Sequence, residues 1–132
     1  VDSVQAPNSG KWKAKINTPA AGGPYTITIK GRINTILLEN ILIGEVWICS
    51  GQSNMEMSNT QQIKDEGVKS NNDKIRFFTV AKKTSEYPQD HCEGQWVSCN
   101  EETLKRFSAV GYFFGKKLNT EVNVPIGLIQ SA

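Results

Sequence analysis

The sequence predicts an α/β fold, a parallel doubly wound sheet preceded by part of a β-sandwich, and three features carry that reading. Residues 1–43 hold stretches of alternating apolar and polar residues separated by turn signals, the period of strands with one buried face. At Gly44 the alternation gives way to short continuous apolar runs, which mark strands covered on both faces. Stretches with helical spacing separate those runs. A strand–helix–strand–helix–strand order joins parallel strands through right-handed crossovers.

The elements follow in order. Gly10-Lys11-Trp12-Lys13-Ala14-Lys15-Ile16 alternates bulky and charged residues and predicts a strand. Pro19-Ala20-Ala21-Gly22-Gly23-Pro24 is a turn by composition. Tyr25-Thr26-Ile27-Thr28-Ile29 gives a second period-2 strand rich in β-branched residues, and Asn34 to Ile43 a third apolar stretch. Two or three strands are too few to close a core, so residues 1–43 read as the C-terminal part of a sandwich. Residues 44–132 read as the N-terminal part of a second domain. There Val46-Trp47-Ile48-Cys49 predicts a buried strand, residues 56–70 a weak helix, Ile75 to Val80 a second strand and residues 81–95 a loop.

The strongest helical signal covers residues 100–118. Asn100 is a cap, Glu101 and Glu102 suit the positive end of the helix dipole, and Lys116-Lys117 suit the negative end. Leu104, Phe107, Gly111, Phe114 and Leu118 recur at spacings that build one apolar face. Within it, Gly111 and Gly115 form a Gly-x-x-x-Gly pattern suited to close packing of helix on sheet. Pro125 then opens Ile126-Gly127-Leu128-Ile129, a third buried strand.

Composition excludes several classes of function. The chain has 132 residues, 38% hydrophobic and 21% charged, which suits a globular domain rather than disorder. A net charge of +2 implies no nucleic-acid partner, and Lys82-Lys83 and Lys116-Lys117 are isolated pairs with no aromatic interleaving. No run approaches the roughly 18 apolar residues that a membrane span requires. The first residues carry neither an initiator Met nor a targeting segment, so the chain reads as a processed or internal piece. Of the three cysteines, Cys49 belongs to an apolar strand and reads as a small buried hydrophobe. Cys92 and Cys99 stand seven apart, close enough to pair in an oxidising compartment. No Cys/His spacing points to zinc.

One turn stands out for its chemistry. Gly51-Gln52-Ser53-Asn54 follows a buried strand, and open α/β sheets carry reacting groups at the carboxyl ends of their strands. A serine hydroxyl attacks a carbonyl only with a base to take its proton and donors to hold the oxyanion. Gly51 permits the sharp bend, the Ser53 N–H is a candidate oxyanion donor, and Gln52 and Asn54 add side-chain amides. The turn is not the Gly-x-Ser-x-Gly elbow, because residue 55 is Met. His91, the single histidine, sits in a polar loop, and the adjacent Asp90 is badly placed to orient it. Glu101-Glu102 is explained by capping, and Glu56, Asp65 and Glu66 by surface charge. Trp12, Trp47 and Trp96 are too scattered to form a sugar platform.

These residues also carry a family likeness. Gly44 to Met55 resembles the nucleophile block of the sialate O-acetylesterase family, a branch of the SGNH (GDSL-like) hydrolases. Ala21 to Tyr25, Ile75 to Phe78, Gly94-Gln95-Trp96, Phe107 to Gly115 and Val124 to Ile129 resemble further family segments in the family's order. The resemblance implies a flavodoxin-like three-layer SGNH sandwich, of which this chain holds the first half of the sheet. It also implies serine esterase activity that removes O-acetyl groups from carbohydrates such as sialic acids. Ser53 matches the nucleophile, with Gly51, Gln52 and Asn54 supporting the turn. No metal or organic cofactor is implied, and the partner is an O-acetylated sugar.

The family's Gly-Gly-Thr loop, Gln-Gly-Glu block and Asp-x-x-His pair fall on none of residues 1–132. Pro88 stands three before His91, so the histidine's role does not transfer. The acid/base residues are expected elsewhere in the polypeptide, and these 132 residues alone are expected to be inactive. Relatives are commonly secreted, periplasmic or lysosomal, and the resemblance implies such a setting for this chain. Two rival readings are an acetylxylan-type or other carbohydrate esterase of the superfamily, and a non-catalytic carbohydrate-binding or interaction module.

Overall fold

In a computed structural model, residues 3–132 form an antiparallel two-stranded ribbon followed by a mixed four-stranded sheet with helices on one face. The ribbon pairs β1 (Gly22–Lys30) with β2 (Thr35–Ile43), both strands rich in β-branched residues. β1 begins earlier than its alternating core, drawing Gly22, Gly23 and Pro24 out of the expected turn, with register shifts on either side of Tyr25. The strand expected over residues 10–16 does not form. Trp12 and Ile16 are exposed and find no strand to pair with, so alternation alone does not make a ladder there.

The second sheet has the order β3-β6-β4-β5. β3 (Glu45–Ser50) and β4 (Asn72–Thr79) lie parallel to β6 (Ile126–Ser131), which occupies the centre although it comes last in the chain. β5 (Trp96–Cys99) runs antiparallel to β4 and makes the sheet mixed rather than wholly parallel. Its sequence, Trp-Val-Ser-Cys, is too short to announce itself. The loop between β4 and β5 lies where residues 81–95 predict one.

β3 is an edge strand, which corrects the expectation that it is covered on both faces. Val46 and Ile48 remain 60% and 71% exposed, and only Cys49 is buried. Its apolar character serves one face alone: Trp47 meets Phe114 edge-on at 5.2 Å, and Cys49 lies under Gly111.

The core is the helix-covered face, where alternate residues of the central strands project. Ile75, Phe77, Ile126 and Leu128 are almost wholly buried there, with Cys99, Leu104, Phe107 and Tyr112. Phe77 stacks on Phe107 with ring centroids 4.2 Å apart.

The single helix expected over residues 100–118 is two. α3 (Glu101–Leu104) starts at a capping box, in which the Asn100 side chain accepts from the Thr103 N–H and the Thr103 hydroxyl accepts from the Asn100 N–H. α4 (Ala109–Val122) starts afresh at Ser108, whose hydroxyl accepts from the Gly111 N–H. The break turns Phe107 into the core and rotates the buried stripe. Ala109, Gly111, Tyr112 and Gly115 face the sheet, while Phe114 lies at the rim beside Trp47. The two glycines serve as expected, bringing the α4 backbone down onto Cys49 and Leu128.

Candidate active site

Ser53 opens α1 (Ser53–Glu56), a single helical turn directly after β3. Gly51 makes the turn possible, with φ at +151°, a region closed to residues with a Cβ. The amides of the first residues of a helix have no intrahelical acceptor, so the Ser53 and Asn54 N–H groups are left for an outside acceptor. Gln52, Ser53 and Asn54 are all exposed, and the Gln52 carbonyl accepts from the Met55 N–H at 2.8 Å.

α1 buries none of its own residues and depends on its neighbours. The Met57 carbonyl accepts from the Ala109 N–H at 2.9 Å, tying the exit of α1 to the first residue of α4. The Ser108 hydroxyl donates to Met55 Sδ at 3.4 Å. Ser108, itself fully buried, donates its N–H to Gln130 Oε1 at 3.0 Å. Gln130 stands in β6 between Cys49 of β3 and Thr79 of β4. Sequence reasoning missed this connection. Its only trace is a glutamine closing an Ile-Gly-Leu-Ile run, where the pattern of the strand leads one to expect a further apolar residue.

An open cleft of about 650 Å³ lies beside the turn, lined by Gly51, residues 80–84, Ser131 and Ala132. These are the carboxyl ends of β3, β4 and β6, the place where open α/β sheets hold their ligands. Lys82 lines the cleft and pairs with Glu56 at the end of α1, while Lys83 pairs with Glu93. A more enclosed groove of about 510 Å³ lies at the other end of the strands, between β2 and the opening residues of β3 and β6.

The other sequence candidates stay apart from Ser53. His91 is exposed in the loop before β5 and shares no hydrogen bond with Ser53. Cys49, four residues before Ser53, is a buried thiol that burial pushes up from its ordinary value, so it stays protonated. Cys49, Cys92 and Cys99 are all free: Cys92 lies at the surface and Cys99 is buried, so the two do not pair. Among the described residues, no group of three or more His, Cys, Asp or Glu side chains converges as metal ligands. No helix among them is long and apolar enough to cross a membrane.

No protein-family model matches the chain. Among curated proteins it is similar to the sialate O-acetylesterases of Pongo abelii and Homo sapiens, each 32% identical over 147 aligned residues. Those alignments cover the whole chain and 28% of each relative. Among solved structures it is similar to a carbohydrate acetylesterase from Xanthomonas citri, with a TM-score of 0.89 and 34% identity, over 93% of this chain and 29% of that one. The chain thus spans just over a quarter of the length of the proteins it matches.

Proposed function

Since the chain belongs to the sialate O-acetylesterase family, we propose that it carries the nucleophile turn of a serine esterase that removes O-acetyl groups from carbohydrate, sialic acids in particular. The observation that carries the reading is the position of Ser53. It is an exposed residue at the start of a helix, two positions after Gly51, which lines a cleft at the carboxyl ends of three strands.

In this reading Ser53 Oγ attacks the acetyl carbonyl carbon, and its proton passes to a histidine from another part of the polypeptide. The negative charge on the carbonyl oxygen is held by the Ser53 N–H, with the side-chain amides of Gln52 and Asn54 at hand. Collapse of this intermediate expels the sugar hydroxyl, protonated by the histidine, and leaves an acetyl-serine. Water, deprotonated by the same histidine, then releases acetate. Residues 1–132 alone are expected to be inactive, because a serine without its base retains little of a triad's rate. The setting is secreted, periplasmic or lysosomal, as the family resemblance implies.

The test is made on the full-length protein that carries this chain. A fluorophosphonate probe is expected to label Ser53, and Ser53→Ala is expected to abolish acetyl-ester turnover. Turnover unchanged in that variant would overturn the assignment. Acetylated xylan or another acetylated sugar is a second substrate reading, supported by the likeness to the Xanthomonas citri carbohydrate acetylesterase. Comparing kcat/KM on O-acetylated sialic acid and on acetylated xylan decides between them. Sugar binding without any turnover would point instead to a non-catalytic module.

A further inference from the structure

We propose that Gln130 is a positioning residue for Ser53, acting through the buried Ser108 amide and the start of α4. The proposal rests on the reading of Ser53 as nucleophile. A four-residue helix does not hold itself in water, because one turn fixes more dihedral angles than it gains hydrogen bonds. α1 buries no residue completely, and only Met55 packs partly against the core. Beyond the chain on either side it is held by the Met57 carbonyl, bonded to the Ala109 N–H, by Met55 Sδ, bonded to the Ser108 hydroxyl, and by the exposed pair of Glu56 with Lys82.

The two hydrogen bonds that join α1 to the helical layer both end on residues 108–109, so the position of Ser53 follows theirs. Ser108 caps α4 and Ala109 is its first residue, just after the corner at Phe107; the Ser108 carbonyl accepts from the Tyr112 N–H, but a cap N–H has no acceptor within its own helix. Gln130 supplies that acceptor and ties the start of α4 to the sheet, through the bond from the Ser108 N–H to its Oε1. The glutamine is 6% exposed and sits on the central strand, in register with Cys49, whose strand leads into the Ser53 turn. Ser53 is therefore reached from Gln130 along two routes, through β3 on one side and through α4 and α1 on the other.

The Ser108 hydroxyl joins the same connection, accepting from the Gly111 N–H and spending its one donor on Met55 Sδ. An apolar residue at position 130 would leave a buried N–H without an acceptor and release the start of α4 from the sheet. Displacement of a reacting group by about 1 Å costs on the order of 100-fold in rate, so a small relaxation of α1 registers in turnover before it registers in folding.

The experiment compares Gln130→Met, Gln130→Glu and Gln130→Asn in the full-length protein. It measures kcat and KM on an acetyl ester well below the melting temperature, with hydrogen exchange at the Ala109 amide. Gln130→Met keeps the length and removes the acceptor. It is expected to lower kcat by about 10-fold or more at unchanged KM, consistent with misplacement of a reacting group, and to speed exchange at Ala109. Gln130→Glu keeps an oxygen at the same reach, beside a helix N-terminus that favours negative charge, and is expected to restore kcat above the titration of its carboxyl. Gln130→Asn is one carbon too short and covers the case in which the methionine variant fails to fold.

Wild-type kcat in folded Gln130→Met or Gln130→Asn would overturn the proposal, as would an equal loss in Gln130→Glu. If Ser53→Ala retains turnover, the nucleophile assignment falls separately. Exchange at Ala109 then still decides whether Gln130 holds α1.

Discussion

Gly115 lies so close to Leu128 that a Cβ built on it would come within 2.6 Å of Leu128 Cδ1 and 3.1 Å of Leu128 Cγ. Leu128 is completely buried on the central strand. Gly115→Ala therefore pits about 1 kcal/mol of helix propensity against an overpacking cost of about 1–3 kcal/mol. The expected result is a net loss, read as a lower urea midpoint at unchanged m-value. Leu128→Ala in the same molecule relieves the clash, so the double variant is expected to lose less than the sum of the single losses.

Asn100 supplies the second expectation. Its side chain accepts from Thr103, and Thr103 returns the bond, satisfying two donors at the start of α3. Thr103 also donates to the Ser98 carbonyl at 2.7 Å, joining the cap to β5. Asn100→Ala is expected to cost about 1 kcal/mol, and Asn100→Asp or Asn100→Ser to cost little. Thermal denaturation of the three variants checks the order.

Local signals of this kind were the legible part of the fold. Asn100 as a cap, Gly111 and Gly115 as contact points, and the apolar runs of β3, β4 and β6 could all be read from their own neighbourhoods. Features set by distant partners could not. Ser108 breaks the helix because Gln130, 22 residues away, takes its amide. β3 is apolar yet half-bare because the helices cover only one face of its sheet, and Val46 and Ile48 point to the other. Residues 10–16 alternate like a strand without finding a ladder. At the candidate site, the sequence showed the turn and its bend, whereas the cleft and the anchoring of α1 arise from three strand ends meeting in space.

The thiols separate by position. Cys92 is exposed, Cys49 is buried in β3, and Cys99 is buried with its thiol donating to the Ser70 carbonyl at 3.0 Å. Burial pushes the Cys99 thiol up to about 12 and raises that of Cys49 as well. Since the thiolate is the reacting species, an alkylating reagent at pH 8 is expected to modify Cys92 quickly and the other two only as the protein unfolds. Mass spectrometry of a labelling time course reads this. Equal early labelling of Cys99 would show that β5 opens on its own.

The pH dependence of stability is expected to turn on one cluster from both sides. Glu66, at the end of α2 (Gln61–Glu66), accepts from the Tyr112 hydroxyl at 2.8 Å and from the Lys116 ammonium, which tethers α2 to α4. The hydrogen bond from Lys116, with that from Tyr112, holds the Glu66 carboxyl below its ordinary 4.5 despite partial burial. The unfolded chain therefore binds the more protons in acid. The contribution of Glu66 is present above pH 4.5 and is lost as the pH falls through the lower folded value.

Tyr112 works in the opposite direction. Burial first, then the bond to the Glu66 carboxylate and its charge, raises the phenol above its ordinary 10.0. Its contribution is complete below pH 10 and is lost as the pH rises through the folded value. Glu66→Gln is expected to flatten the acid limb of a plot of melting temperature against pH. Tyr112→Phe is expected to flatten the alkaline limb and to cost about 1 kcal/mol at neutral pH for the lost hydrogen bond. An alkaline limb in Tyr112→Phe as steep as in the parent protein would show that the tether between α2 and α4 does not govern stability there.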